Sequence, residues 1–348
     1  MYKKKMQIFK QLLSIILIVS VFSCAREINE SARSIEERIL KARMQVQYLD
    51  TLHKTESGLY YMIQAKGVGK PVEKEGCIYV RFSDFDFNEN YVINTDGTPS
   101  STEEHVAKQL GLFSFANYYG PDLWYSGVNA LAEGIDEMVL SMREGDKRRI
   151  WLPSWLSTFG YTGSQQLYSF TTVHDVEVLR VIDNIEKFQI DSLESYRDRY
   201  YPGVDSLSYG FYKKTLTNGT GDTLTVGNRV KVWYVGRLLD NFIFDLNVAD
   251  TAKKYYIYDS SKSYLAMEGE CKEDEVFGIV DNDGNSGSTV SGFSKAIFNM
   301  KHQEEAVVFF YSDLGYGAGD GKSRLFRFAP LVFWLKVERT DWNEESEN

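Results

Sequence analysis

The chain repeats itself, and that constrains its fold more than any single motif. Gly58, Gly67 and Gly69 return 152 residues later as Gly210, Gly219 and Gly221. Gly58-Leu59-Tyr60 returns as Gly210-Phe211-Tyr212. The alternating Ile78, Val80 and Phe82 return as Val230, Val232 and Tyr234 at the same spacing. Further on the offset becomes 158, with Gly134-Ile135 and Met142 matching Gly292-Phe293 and Met300. Self-similarity at a fixed offset is the mark of a repeated unit, and 348 residues suit about two domains. The expected division is residues 56–182 and 207–340. Between them, 183–206 carries Ile190, Leu193, Tyr196 and Tyr200 amid charges. That spacing predicts a linker helix, ended by Pro202-Gly203.

Within each copy the pattern is strand-dominated. Ile78, Val80 and Phe82 alternate, as do Val230, Val232 and Tyr234, which predicts antiparallel strands with one buried and one wet face. Residues 148–152, 173–181, 306–311 and 331–337 read as further strands. Residues 134–142 and 292–300 read as short amphipathic helices. The expected class is α+β, each copy a twisted antiparallel sheet wrapped around one short helix. Aromatic residues make up 14% of the chain, in keeping with strand-rich cores. Two long segments interrupt the pattern and read as insertions. One is 95–133, with Phe113, Phe115, Tyr118, Tyr119, Trp124 and Tyr125; the other is 246–289.

The N-terminus reads as a targeting segment. Lys3, Lys4, Lys5 and Lys10 precede an apolar run from Leu12 to Phe22, too short to cross a bilayer as a helix. Ser23-Cys24 follows, and the whole resembles a bacterial lipoprotein signal. The resemblance implies a signal over residues 1–24, a lipidated Cys24, and a protein held on a membrane of the cell envelope, facing outside the cytoplasm. An uncleaved anchor or an ordinary secretory signal is the alternative. Residues 25–55 then read as a tether and a helix, with Ile35, Ile39, Ala42, Val46, Leu49 and Leu52 on one stripe. Ser34 and Glu37 have the spacing of a capping box. Residues 341–348 form an acidic tail.

Several chemistries are disfavoured. The net charge of −10 argues against a nucleic-acid surface, which needs excess Lys and Arg. Cys77 and Cys271 fall in separate copies and read as free, buried thiols. The four histidines are scattered, so no metal site and no cofactor is expected. The string Asp281-Asn282-Asp283-Gly284-Asn285-Ser286-Gly287 alternates oxygen ligands. A calcium loop would need Gly and an acid where Ser286 and Gly292 stand, so a polar turn is the reading.

The order of motifs in the second copy resembles the FKBP-type peptidyl-prolyl isomerases. Tyr234-x-Gly236 ends a strand, Phe244-Asp245 follows, Val290-Ser291-Gly292-Phe293 opens the helix, Gly315-Tyr316-Gly317 forms a loop, and Leu331-Val332-Phe333 closes the unit. The resemblance implies an aromatic pocket that accelerates rotation about Xaa–Pro bonds. It assigns Tyr234, Asp245 and Tyr316 to the catalytic positions, and Phe244, Val290, Phe293 and Phe333 to the walls and floor that bind substrate. Phe293 stands where the family usually has Trp. The implied partners are proline-containing polypeptides outside the cytoplasm.

The first copy departs from that pattern. Phe82 lacks the hydroxyl of Tyr234, Val92-Ile93-Asn94 lies where Phe-Asp is expected, Ile135 takes the floor, His174 falls near the last Phe, and Phe159-Gly160 replaces Tyr-Gly. Activity is therefore expected in the second copy. The alternative is a non-catalytic, membrane-anchored FKBP-like scaffold or chaperone, binding partners within a larger protein assembly.

Overall fold

The structure is a computed structural model that describes residues 30–48, 51–127, 130–157, 170–280, 286–319, 325 and 327–342. The expected signal and Cys24, most of the calcium-like string, and Phe159-Gly160 lie outside the described residues. The chain divides into two compact units, 1–47 and 48–348.

In the first unit a helix spans Ala32–Gln47. Two readings of its sequence need correcting. The cap is Ser31, whose Oγ accepts from the Ser34 N–H at 3.2 Å, so Ser34 already lies inside the first turn. The buried stripe is Glu36, Leu40 and Met44, while Ile35, Ile39 and Val46 are 38%, 40% and 80% exposed. Neighbouring stripes of one helix share the same period, and periodicity alone does not choose between them. Leu52 belongs to a strand rather than to this helix. Among the described residues no helix is long and apolar enough to cross a membrane.

In the second unit two large antiparallel sheets carry the chain, beside a small pairing of Thr220–Thr223 with Lys301–His302. The first runs, in spatial order, Leu52–Lys54, Tyr60–Ala65, Lys147–Leu152, Thr172–Ile182, Cys77–Phe85 and Asp122–Tyr125. The second begins with the same order of parts: Ser206–Ser208, Phe211–Thr217, Glu305–Phe310, Leu331–Arg339, Arg229–Arg237 and Met267–Lys272. Val276–Val280 and Ser286–Ser288 then extend it, and Ile243–Leu246 pairs beside Arg229–Arg237. The segment 246–289 thus adds three strands, Met267–Lys272, Val276–Val280 and Ser286–Ser288, to the sheet, and carries the short helix Ala249–Lys254. The class is α+β.

The offsets seen in the sequence are spatial. Strand Cys77–Phe85 corresponds end to end with Arg229–Arg237, 152 residues apart. Helix Glu133–Leu140 corresponds with Ser291–Phe298, and strand Lys147–Leu152 with Glu305–Phe310, both 158 apart. The shared glycines have shared causes. A Cβ on Gly67 would strike the carbonyl of Glu144, and one on Gly219 the carbonyl of His302, again 158 apart. Gly134 and Gly292 press the helix onto Leu152 and Phe310 in the same way.

Each short helix fills one face of its sheet. Ile135, Met138 and Val139 pack with Ile78, Val80, Ile150 and Val176. Phe293, Ala296 and Ile297 pack with Val232, Val308, Phe310 and Leu335. The other face of the second sheet is not wet as alternation predicts. Helix Ile185–Tyr200 lays Leu193 and Tyr196 on Tyr212, Val307, Phe309 and Val332. Side chains of a strand point alternately to opposite faces, so Val308 and Phe310 serve one core and Val307 and Phe309 the other. That accounts for the unbroken apolar run Ala306–Phe310.

Candidate functional site

The second half assembles its candidate residues from four elements. Tyr234 lies near the end of Arg229–Arg237, and Phe244 and Asp245 lie on Ile243–Leu246, which pairs back on it with Gly236 opposite Asp245. Phe333 stands opposite Gly236 on the other side. Phe293 enters from the first turn of helix Ser291–Phe298, and Val290 is that helix's N-cap residue. A Cβ on Gly236 would fall 2.7 Å from Phe244 and 2.9 Å from Phe333. The missing side chain is what lets those two rings close, edge to face, at 5.6 Å.

The rings form one cluster. Phe293 meets Tyr234 at 5.7 Å and Phe333 at 5.2 Å, both edge to face, and Tyr234 reaches Phe333 at 6.4 Å. Edge-to-face pairs at these separations are the favoured aromatic geometry. Phe293 and Phe333 are buried, whereas Tyr234, Phe244, Asp245 and Val290 are partly exposed, forming a dry floor under an open rim. The Tyr234 hydroxyl donates to Asp245 Oδ2 at 2.8 Å, and Asp245 Oδ1 accepts from the Leu246 N–H at 2.9 Å. Burial, and then the Asp245 charge and this hydrogen bond, push the Tyr234 phenol well above its ordinary value. Tyr316 is half exposed, and burial followed by the Asp245 charge pushes it up as well. Both phenols are therefore neutral donors at ordinary pH.

One residue that sequence reading missed holds the arrangement. The Asn247 carboxamide accepts from the Tyr234 N–H at 2.7 Å and donates to the Val232 carbonyl at 2.8 Å. It is buried, and it joins Tyr234 to the strand that carries Asp245. A polar residue two positions beyond the Asp was the available signal.

Among the described residues the first half has counterparts to the strands and the helix of this site, with different chemistry. Phe82 bonds Thr102 as Tyr234 bonds Asn247: the Thr102 Oγ1 accepts from the Phe82 N–H at 2.9 Å. Ser83 pairs with Ser101 as Val235 pairs with Leu246. Counting from these pairs, Pro99 and Ser100 occupy the places of Phe244 and Asp245. Asn94 does not; 86–98 is a hairpin excursion with turns at 86–90 and 94–98. The linear match placed it wrongly because that extra hairpin shifts the count. Asp84 stands at the Gly236 position, and His174 opposite it at the Phe333 position. His174 Nδ1 lies 2.7 Å from Asp84 Oδ1, its Nε2 lies 2.8 Å from Thr172 Oγ1, and Ser100 Oγ donates to Asp84 Oδ2 at 2.6 Å. Where the second half has Gly236 facing Phe333, the first half has a partly buried polar network.

The segment 95–133 does not close over its own sheet alone. Tyr118 packs on Phe242 at 5.2 Å, two residues before Phe244. Phe115 meets Tyr256 at 5.6 Å. Cys77 and Cys271 are free and buried, and burial pushes each thiol up to about 11. No group of three or more metal-ligating side chains occurs among the described residues.

The chain is similar to FKBP proteins of known structure. Three FKBP domains of wheat FKBP73 align over 82% of this chain and 95% of theirs, at 15% identity and a TM-score of 0.28. A peptidyl-prolyl cis-trans isomerase from Pseudomonas syringae pv. tomato aligns over 45% of this chain and 96% of its own, at 26% identity and a TM-score of 0.30. FkpA from Escherichia coli aligns over 50% and 72%, at 19% identity and a TM-score of 0.30. No family model and no curated protein matches the chain.

Proposed function

We propose that this chain is an FKBP-type peptidyl-prolyl cis-trans isomerase built from two FKBP-like domains, with its reaction at the second-half cluster. The observation that carries the reading is the Tyr234–Asp245 hydrogen bond set at the rim of the Phe244, Phe293 and Phe333 rings.

The chemistry asks for little else. Rotation about an amide costs ~18–20 kcal/mol because the C–N bond has partial double-bond character. Xaa–Pro bonds populate both isomers but exchange over tens to hundreds of seconds. In the twisted transition state amide resonance is lost and charge separation falls. An apolar floor favours that state over the planar one, which is differential binding. In this reading Phe293 and Phe333 take the proline ring, and Phe244 and Val290 flank it. Tyr316 donates to a peptide carbonyl, and Asp245, held by Tyr234, meets the amide being twisted. No nucleophile enters and no bond is broken.

The N-terminal sequence supports a place outside the cytoplasm, on a lipid attached to Cys24. Cys24→Ala should then release the protein from the membrane fraction. The isomerase reading is tested by a proline-tetrapeptide assay on the full chain. Acceleration that falls in Asp245→Ala supports it. No acceleration by the native chain overturns it and favours a binding scaffold. That second reading draws on the polar first-half network and on the contact of Tyr118 with Phe242.

A further inference from the structure

A cavity of about 500 Å³ opens on the first half, within the roughly 300–1,000 Å³ usual for ligand sites. Its lining includes Phe82, at the register position of Tyr234, with Trp124 against it at 5.4 Å and Leu131 alongside. The rim is polar: Asn94, Thr98, Thr102 and Asn117 line it. Leu325 and Arg327, from the segment joining Tyr316 to strand Leu331–Arg339, complete it. Neither half encloses it alone.

Two of its lining residues also belong to the neighbouring site. Tyr118 and Leu325 both pack against the core cluster that contains Phe293 and Phe333. Tyr118 does so through Phe242, just before Phe244. The cavity and the second-half site therefore share a wall.

We propose that this cavity is a second holding site for the same unfolded polypeptide whose Xaa–Pro bond is turned over at the Tyr234–Asp245 cluster. The proposal rests on the isomerase reading above. The occupant is an uncharged, apolar stretch of chain. Phe82, Trp124 and Leu131 receive a side chain, while the hydroxyls, carboxamides and the Arg327 guanidinium meet backbone carbonyls and amides, which alternate as acceptors and donors. A buried charge on the occupant would need a partner, and in the lining the Arg327 charge already acts on Asp122. Attachment at one site makes the second attachment intramolecular, so affinity for a long chain rises without any change at the reacting bond. A tetrapeptide fills one site only.

That asymmetry is the test. The full chain and its Trp124→Ala and Arg327→Ala variants are assayed on a proline tetrapeptide and on a protein whose refolding is limited by proline isomerisation. Binding to a fluorescein-labelled, reduced and carboxymethylated protein is followed by anisotropy. The expected result is tetrapeptide turnover within about twofold of native, with protein-substrate turnover and affinity both lower by tenfold or more. Arg327→Ala removes a partly exposed rim group and guards against a folding defect in Trp124→Ala, with circular dichroism checking both. Equal losses on both substrates, or no loss of affinity in either variant, would overturn the proposal. If the native chain turns over neither substrate, the isomerase reading fails, and the anisotropy arm still decides whether the cavity holds unfolded chain.

Discussion

Gly236 and Asp84 occupy the same place in two equivalent strands, and their surroundings have diverged around them. At Gly236 the absence of a side chain admits Phe244 and Phe333 into contact. At Asp84 a carboxylate is present, the facing residue is His174 instead of Phe333, and Ser100 replaces Asp245. Each set is consistent within itself. A carboxylate pointed at two phenylalanines would be a buried polar group without partners, and a histidine facing a glycine would lose its acceptor. The two halves therefore differ by a coupled set of exchanges, and single substitutions should not convert one into the other.

The largest effect should come from the floor. Phe293→Ala removes a ring that is 3% exposed and touches Tyr234 and Phe333. Large-to-small changes of this kind cost ~3–5 kcal/mol, which a denaturant titration would read directly. The Ile135→Ala change at the matching first-half position should fall at or below the low end of that range. Comparable losses in both would say that Phe293 has no special place in its cluster.

Next comes the carboxylate. Asp245→Ala should leave the circular dichroism spectrum unchanged and lower kcat/KM on a proline peptide by about 10- to 100-fold. That range corresponds to a charged hydrogen bond of ~1.5–3 kcal/mol at 1.36 kcal/mol per decade. Asp84→Ala should leave the same rate within about twofold. A rate loss in Asp84→Ala equal to that in Asp245→Ala would place turnover in the wrong half.

The polar network offers a smaller test in the opposite direction. His174→Phe restores the second-half residue but leaves Asp84 with Ser100 as the described side-chain donor and a bulky ring opposite it. The expected cost is ~1–3 kcal/mol of stability, from a partly buried acceptor losing a partner, with no gain in isomerase rate. A gain in rate would mean that the first half lacks only an aromatic wall.

The smallest effect is with pH. The Tyr234 phenol is raised in the folded chain, so its neutral form is the one that folding favours. Its contribution is fully present below the unfolded value of ~10 and is lost as pH climbs through the folded value. Cys77 and Cys271, raised to about 11 from 9.0, act in the same sense between those two values. Stability should therefore decline above about pH 9. Tyr234→Phe, which copies Phe82, should make that decline shallower, and an unchanged slope in alkaline melting curves would remove Tyr234 from the account.

Much of this was legible in the sequence because it is carried by local patterns. The paired strands and helices fall at constant offsets, since a Gly packed under a carbonyl or a ring tolerates no drift in register. Tyr234, Asp245, Phe293 and Phe333 converge for the same reason. The failures are of another kind. Asn94 was matched to Asp245 by counting along the chain, whereas the extra hairpin 86–98 displaces the true counterpart to Ser100. Asn247 and Thr102 went unnoticed because a side chain that bonds a backbone group has no periodicity. The dry second face of the second sheet was missed because it depends on where a helix from outside the repeat settles.

That helix has a consequence for how the chain can be divided. Ile185–Tyr200 precedes the second repeat, yet Leu193 and Tyr196 seal Tyr212, Val307, Phe309 and Val332. A fragment trimmed to begin near residue 205, where the repeat itself begins, would leave those four side chains facing water as one greasy patch, the kind of surface by which proteins stick to one another. Starting the fragment at Asp183 keeps its own lid, with Asn184 still capping the helix through the Lys187 N–H at 2.8 Å. The inheritable unit and the soluble unit thus have different first residues.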